Sequence, residues 1–219
     1  MKGIFSPDGI VYRVLDVLTD IFVLSILWLL CSIPVVTLGA ATMALYDAVV
    51  RSIRYKKGGA YRRFFHTFRS DLGTSVLTTL FWIVILGIGV FSLFYLRAMG
   101  EQNETFSMFS IVYYILLLIP VGTACWVFPV LSRFTYGFGG LNLTAFRLAL
   151  GCLPRTVILT LSTLVILEAI GQYVFPVCFL PACLMLLWSL FIEPVFTRLG
   201  GGLGKDAEEQ KDEEPPQDA

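Results

Sequence analysis

Charged residues make up only 15% of this 219-residue chain, against about a quarter in soluble domains. Histidine occurs once, at His66, so neither HExxH nor any other paired-histidine metal site can be built. The five cysteines, Cys31, Cys125, Cys152, Cys178 and Cys183, form no CxxC pair, which argues against zinc-ribbon and thioredoxin-type sites. All lie in or beside apolar runs and read as small buried hydrophobes. No GxSxG nucleophile elbow occurs. The stretch Gly200-Gly201-Gly202-Leu203-Gly204-Lys205 fails as a phosphate loop, because Leu199 stands where the first glycine belongs and Asp206 replaces the Ser/Thr. No alternating strand pattern is present, which excludes a barrel. The expectation is a protein with no catalytic, cofactor-binding or metal-ligating residues, and therefore not an enzyme. A formal net charge of zero gives no footing for nucleic acid.

What the chain has instead is apolar length. Hydrophobic residues make up 57% of it and the mean hydropathy is +0.79. Five runs are long enough to span a bilayer, Val14–Val36, Ser75–Leu96, Ile111–Leu131, Thr156–Phe175 and Val177–Phe196, since a bilayer core needs about 20 apolar residues in a helix. Helix is required, because an open structure of any other kind leaves backbone groups unsatisfied in hydrocarbon. The fourth and fifth runs form a tight hairpin around Pro176. The first begins after Asp16 and Asp20 and has no clean cleavage site, so it is expected to be retained. The fold class predicted is all-α, a polytopic transmembrane bundle of about five spans with cytoplasmic interfacial helices. Residues 1–199 form the helical domain. Residues 200–219 form a disordered cytoplasmic tail, in which Asp206–Ala219 carries seven acids.

The basic residues orient the bundle. Arg51, Arg54, Lys56, Lys57, Arg62, Arg63 and Arg69 crowd the first connection, and Arg133, Arg147 and Arg155 the third. The second has Arg97 against Glu101 and Glu104, and the fourth has no charge. This alternation predicts a multi-pass plasma-membrane protein with its amino terminus outside and its carboxyl terminus cytoplasmic. Lys2 and Arg13 oppose it weakly.

Within the first connection, Tyr61, Phe64, Phe65, Phe68 and Leu72 recur at helical spacing, with Arg62, Arg63, His66 and Arg69 on the other face. Such a helix suits the membrane interface. Two readings stay open: attraction to anionic lipids, at roughly 1 kcal/mol per basic residue, or docking of a cytoplasmic partner through Arg62, Arg63, Phe64, Phe65, Phe68 and Arg69. Before it, Ala40–Ile53 is an apolar helix carrying Tyr46 and Asp47, either tucked under the bundle or extending the first span.

Acids inside the spans are the candidate polar site, because a carboxylate at the bilayer centre costs a few kcal/mol. Glu168 lies near the middle of the fourth run with Gln172 one turn on, and Glu193 sits beside Pro194 near the cytoplasmic end of the fifth. They read either as a solute or proton site or as interhelical hydrogen bonding, with Glu193 able to reach water. A repeat is also visible. Pro34-Val35-Val36-Thr37, Pro129-Val130-Leu131-Ser132 and Pro194-Val195-Phe196-Thr197 each end a run, and Phe68-Arg69-x-x-Leu72-Gly73 matches Phe146-Arg147-x-x-Leu150-Gly151. This fits parallel repeats, or proline-kinked helix ends with a hydroxyl serving the freed carbonyls.

The stretch Leu24–Tyr46, LSILWLLCSIPVVTLGAATMALY, resembles the amino-terminal signature of the YesL-like family of bacterial membrane proteins, a domain of unknown function numbered 624. Phe64-Phe65-x-x-Phe68 and Ala145–Thr156, ending Leu153-Pro154-Arg155-Thr156, resemble it too, so that the likeness runs from Lys2 to about Thr197. Members are often encoded beside sugar-uptake ABC transporters. The resemblance therefore implies a non-catalytic accessory or assembly partner of a carbohydrate-uptake ABC transporter, with its permease subunits and the lipid bilayer as partners and no assigned site residue. The other expectation is a small transporter or channel in its own right using an intramembrane carboxylate. A permease subunit itself is disfavoured, because the loop Gly139–Pro154 has Ala145 and Gly151 but no acid.

Overall fold

The computed structural model describes residues 10–55, 59–100, 104–134, 136–172 and 178–199. The acidic tail and the glycine-rich stretch before it lie outside the described residues, as does Pro176. What is described is helical: α1 (Ile10–Cys31), α2 (Leu38–Ala48), α3 (Ala60–Ser70), α4 (Leu72–Gly100), α5 (Glu104–Arg133), α6 (Phe138–Gly151), α7 (Leu153–Gln172) and α8 (Leu180–Arg198). A 3-10 turn, Val35–Thr37, leads into α2, and a π-helical turn, Val49–Arg54, continues it.

Among the described residues, four helical segments are long and apolar enough to cross a membrane: Val35–Arg54, Leu72–Gly100, Val112–Arg133 and Leu180–Arg198. A fifth crossing is possible if the pair Phe138–Gly151 and Leu153–Ala169, bent by 103°, is one span. The all-helical membrane class is therefore as read from the sequence, but two boundaries are corrected. The first run does not continue to Val36. α1 stops at Cys31, and Pro34, which has no N–H to donate, begins the 3-10 turn. The Thr37 hydroxyl closes the break by donating to the Cys31 carbonyl (2.6 Å) and the Pro34 carbonyl (2.7 Å). The segment Gly139–Pro154 is also no loop. It holds helix α6, whose Leu141, Ala145 and Ala149 are buried.

α2 is the centre of the bundle. Every residue from Gly39 to Ala48 except Thr42 is buried. It packs on α1, α3, α4, α5 and α8. The Trp28 indole donates to Thr42 (3.2 Å), tying α1 to it across the break. Gly39 makes the approach to α4 and α5 possible: a Cβ there would stand 2.0 Å from Thr79 Oγ1 and 2.3 Å from Phe128 Cε1. α4 and α5 run antiparallel, with Gly89 against Leu117 and Arg97 over the Tyr114 ring at 5.6 Å. Gly122 on α5 meets Thr156 and Thr160 of α7 in the same close-packed way, as small residues do where membrane helices must approach.

Hydroxyls inside these apolar helices are satisfied locally. Thr79, Thr123, Thr160 and Thr163 each donate to the carbonyl four residues back, at 2.6–2.9 Å. Thr156 does more. It accepts from the Trp126 indole (3.0 Å) and donates to the Ala149 carbonyl (2.8 Å), which pins the bend between α6 and α7 onto α5.

The three Pro-Val motifs do not occupy equivalent places. Pro34 separates two helices, whereas Pro129 and Pro194 lie inside α5 and α8. The hydroxyl that follows each does bond a nearby carbonyl: Thr37 to Pro34, Ser132 to Pro129 (2.7 Å) and Thr197 to Glu193 (2.9 Å).

Candidate functional site: two buried carboxylates and their arginines

Four arginines and two acids gather where α2 and its π turn, α3, α5 and α8 meet. Asp47 stands in the last turn of α2, its side chain 1% exposed. Arg51, one turn on, donates from Nε to Asp47 Oδ1 at 2.6 Å. Arg63 of α3 donates from Nε to Oδ2 at 3.0 Å, and the Thr67 hydroxyl to the same oxygen at 2.8 Å. One carboxylate thus holds α3 down on α2 through Arg63 and the Thr67 hydroxyl, and also fixes Arg51 of the π turn.

The π turn sets the second half. Its wider winding, closed by Tyr55 N–H on the Val50 carbonyl at 3.0 Å, advances each residue by less than an α turn. Arg54 and Tyr55 therefore both reach α8. Such turns recur at functional positions in helices. Arg54 Nη1 donates to the Ser189 carbonyl at 2.5 Å, and the Tyr55 hydroxyl to Glu193 Oε2 at 3.1 Å. Partial burial, and then the nearby Glu193 carboxylate, push the Tyr55 phenol above its ordinary value, which keeps it a donor.

Glu193 is the hub of this half. Its Oε1 accepts from Arg133 Nη2 at 2.7 Å and from the Tyr46 hydroxyl at 3.2 Å. Arg133 and Glu193 are each under 5% exposed in their side chains, so each desolvated charge has its partner, as burial demands. Arg133 Nε, however, is buried without a hydrogen-bond partner.

The sequence-predicted site divides accordingly. Glu193 is at the centre of the cluster, and the expectation that it reaches water is corrected: it is 2% exposed, because Tyr46, Tyr55 and Arg133 close over it. Glu168 is elsewhere. It faces outward on α7 beside Leu164, Val165 and Leu167, and accepts only from Gln172 at 3.0 Å among the described residues. Glu168, Gln172 and Glu193 are therefore not one site.

The predicted interface on α3 is also split. Phe64 is fully buried and Arg63 is turned onto Asp47, while Tyr61, Arg62, Phe65 and Arg69 are exposed and Phe68 is half-buried. The reason is the partner of the helix: α2 offers a carboxylate as well as apolar surface, so the buried stripe is Ala60, Phe64 and Thr67 with Arg63 at its margin. Buried α2 offers no outward contact surface of its own. Asp47, Arg51, Arg54, Tyr46, Tyr55, Thr67 and Arg133 were not read as site residues. One signal was available, an Asp and an Arg four apart in an otherwise apolar helix.

Comparison with known families bears on half of this cluster. Residues 21–93 match the family described as Protein of unknown function, DUF624. No curated protein and no solved structure matches the chain. The DUF624 match covers about a third of the chain. It runs from α1 through most of α4 and so takes in Leu24–Tyr46 and Phe64-Phe65-x-x-Phe68. It contains the whole Asp47 half of the cluster, with Arg51, Arg63 and Thr67, and also Tyr46, Arg54 and Tyr55. Arg133, Ser189 and Glu193 lie beyond it. The Glu193 half of the cluster therefore joins the DUF624 segment to the rest of the bundle.

Proposed function

We propose that the protein is a non-catalytic accessory or assembly partner of a carbohydrate-uptake ABC transporter in a bacterial plasma membrane. One observation supports it over a transporter with its own carboxylate pathway: Asp47 and Glu193 are each locked by arginine and hydroxyl donors. A carboxylate held by that many donors is a poor relay. The exposed turn of α3, by contrast, stands on a platform fixed by Asp47. Tyr61, 62% exposed, and Arg62 form the centre of the partner contact, with Phe65 at its edge.

The orientation belongs to the same proposal. The amino terminus is outside, the carboxyl terminus is cytoplasmic, and the arginine-rich end of the bundle faces the cytoplasm. For the termini to lie on opposite sides, Val35–Arg54, α4, α5, the bent pair of α6 and α7, and α8 make five crossings, and α1, which lies beside α2 and α3, adds none. Reporter fusions after Gly58, Gly140 and Gly204 are expected to read as cytoplasmic, and fusions after Asn103 and at the amino terminus as external. A cytoplasmic amino terminus would make α1 and Val35–Arg54 separate crossings. An external Gly58 would reverse the whole arrangement.

The partner reading is tested by affinity purification in mild detergent. Tyr61→Ser with Arg62→Ser is expected to lose the co-purifying permease subunit while membrane insertion persists, and Glu168→Gln to behave as wild type. Sugar uptake abolished by Glu168→Gln, with co-purification intact in the α3 variant, would instead establish a transporter in its own right.

A further inference from the structure

The exposed side of α3 carries a groove of about 350 Å3, lined by Phe65, His66, Arg69 and Ser70. Behind it lies a nook of about 10 Å3, room for a single water. His66 and Ser70 line both, and Asp47, Arg51, Arg63 and Ser132 lie on the inner side. Arg51, Arg63 and Arg69 line this pair of hollows against Asp47, and Asp71 stands beside Ser70 at 3.3 Å. The surplus charge is positive. Asp47 is already engaged by Arg51, Arg63 and Thr67, whereas Arg69 has no ion-pair partner among the described residues.

We propose that this groove binds the phosphate of an anionic phospholipid headgroup. Arg69 and His66 are the phosphate donors, and Arg63 and Arg51 add field from behind. Phe65, 42% exposed, is the wall against which the glycerol and first acyl carbons lie. The groove pairs an aromatic wall with cations on one turn of an amphipathic helix, at the start of the α4 membrane span. A free anion uses only the cations; a phospholipid uses both. The site adjoins the partner contact centred on Tyr61 and Arg62 and shares Phe65 with its edge.

The test uses the full chain in mild detergent, with thermal melting read against short-chain phosphatidylglycerol, phosphatidylcholine of the same chain length, and inorganic phosphate. Phosphatidylglycerol is expected to raise the melting temperature more than either control. Arg69→Gln should weaken its apparent affinity by about fivefold, the loss of one headgroup-facing cation, and His66→Gln should add to that. Arg198→Gln, a basic residue at the end of α8, should leave it unchanged. Arg69 is exposed, so its replacement does not endanger folding and carries the test alone if the double variant fails to fold. Equal shifts with both lipids, or an unchanged affinity in Arg69→Gln, would overturn the site. A phosphate shift equal to that of phosphatidylglycerol would overturn the lipid as its occupant.

Discussion

Asp47→Ala is expected to lower the stability of the detergent-solubilised protein by roughly 3–5 kcal/mol, the cost of stranding a buried charge. Three donors lose their acceptor at once. Arg51, 6% exposed, has little water to turn to, and Arg63 and Thr67 no longer fasten α3 to α2. Asp47→Asn keeps the shape but presents an amide N–H2 where a donor already stands, so it should be destabilising as well. Thr67→Val removes one neutral donor from a carboxylate that keeps two arginines, and should cost only about 1 kcal/mol. Thermal melting measures the three costs, and trypsin cleavage at Arg62, Arg63 and Arg69 reports α3. Cleavage should rise sharply in Asp47→Ala. A melting temperature within a degree or two of wild type would mean that α3 is held by apolar contacts alone.

The Arg133–Glu193 pair is expected to show the asymmetry of buried ion pairs. Glu193→Leu strands the buried Arg133 guanidinium, and Arg133→Met leaves a carboxylate with two tyrosine hydroxyls. Each single change should cost about 3–5 kcal/mol. The double change should cost much less than their sum, because replacing a buried pair by apolar side chains of similar volume is often close to neutral. The bare Arg133 Nε strengthens the case, since even the intact pair leaves one donor unmet. The double-mutant cycle is read from melting temperatures in one detergent. Additive costs would mean that the two side chains act independently, contrary to their 2.7 Å contact.

The spans were legible because length and apolar content are one-dimensional properties. The predicted Ser75–Leu96 and Ile111–Leu131 fall inside α4 and α5, which run on past the apolar core into residues that hydropathy discounts. The place of α2 was not legible. Its sequence suits a membrane or a core equally, and only the surrounding helices decide that Gly39, Ala40, Ala41 and Ala44 face protein on all sides.

The acids show the same limit. Position along a run placed Glu168 deep and Glu193 near an end. The decisive property was the face, and Glu168 shares its face with exposed Val157, Leu161 and Val165. Within one helix, the Asp47–Arg51 pair could be read from spacing. The Arg133–Glu193 pair, 60 residues apart, depends on α5 and α8 both packing on α2, and no local pattern announces that.

The central claim is that the bundle is locked by the buried carboxylates at one end, Asp47 and Glu193, and not built around Glu168. Melting wild type, Glu193→Gln and Glu168→Gln side by side in the same detergent tests it most directly. Gln preserves size and removes the charge. The account predicts a large loss of melting temperature for Glu193→Gln and none for Glu168→Gln. Equal stability of all three proteins, or a loss confined to Glu168→Gln, would contradict it.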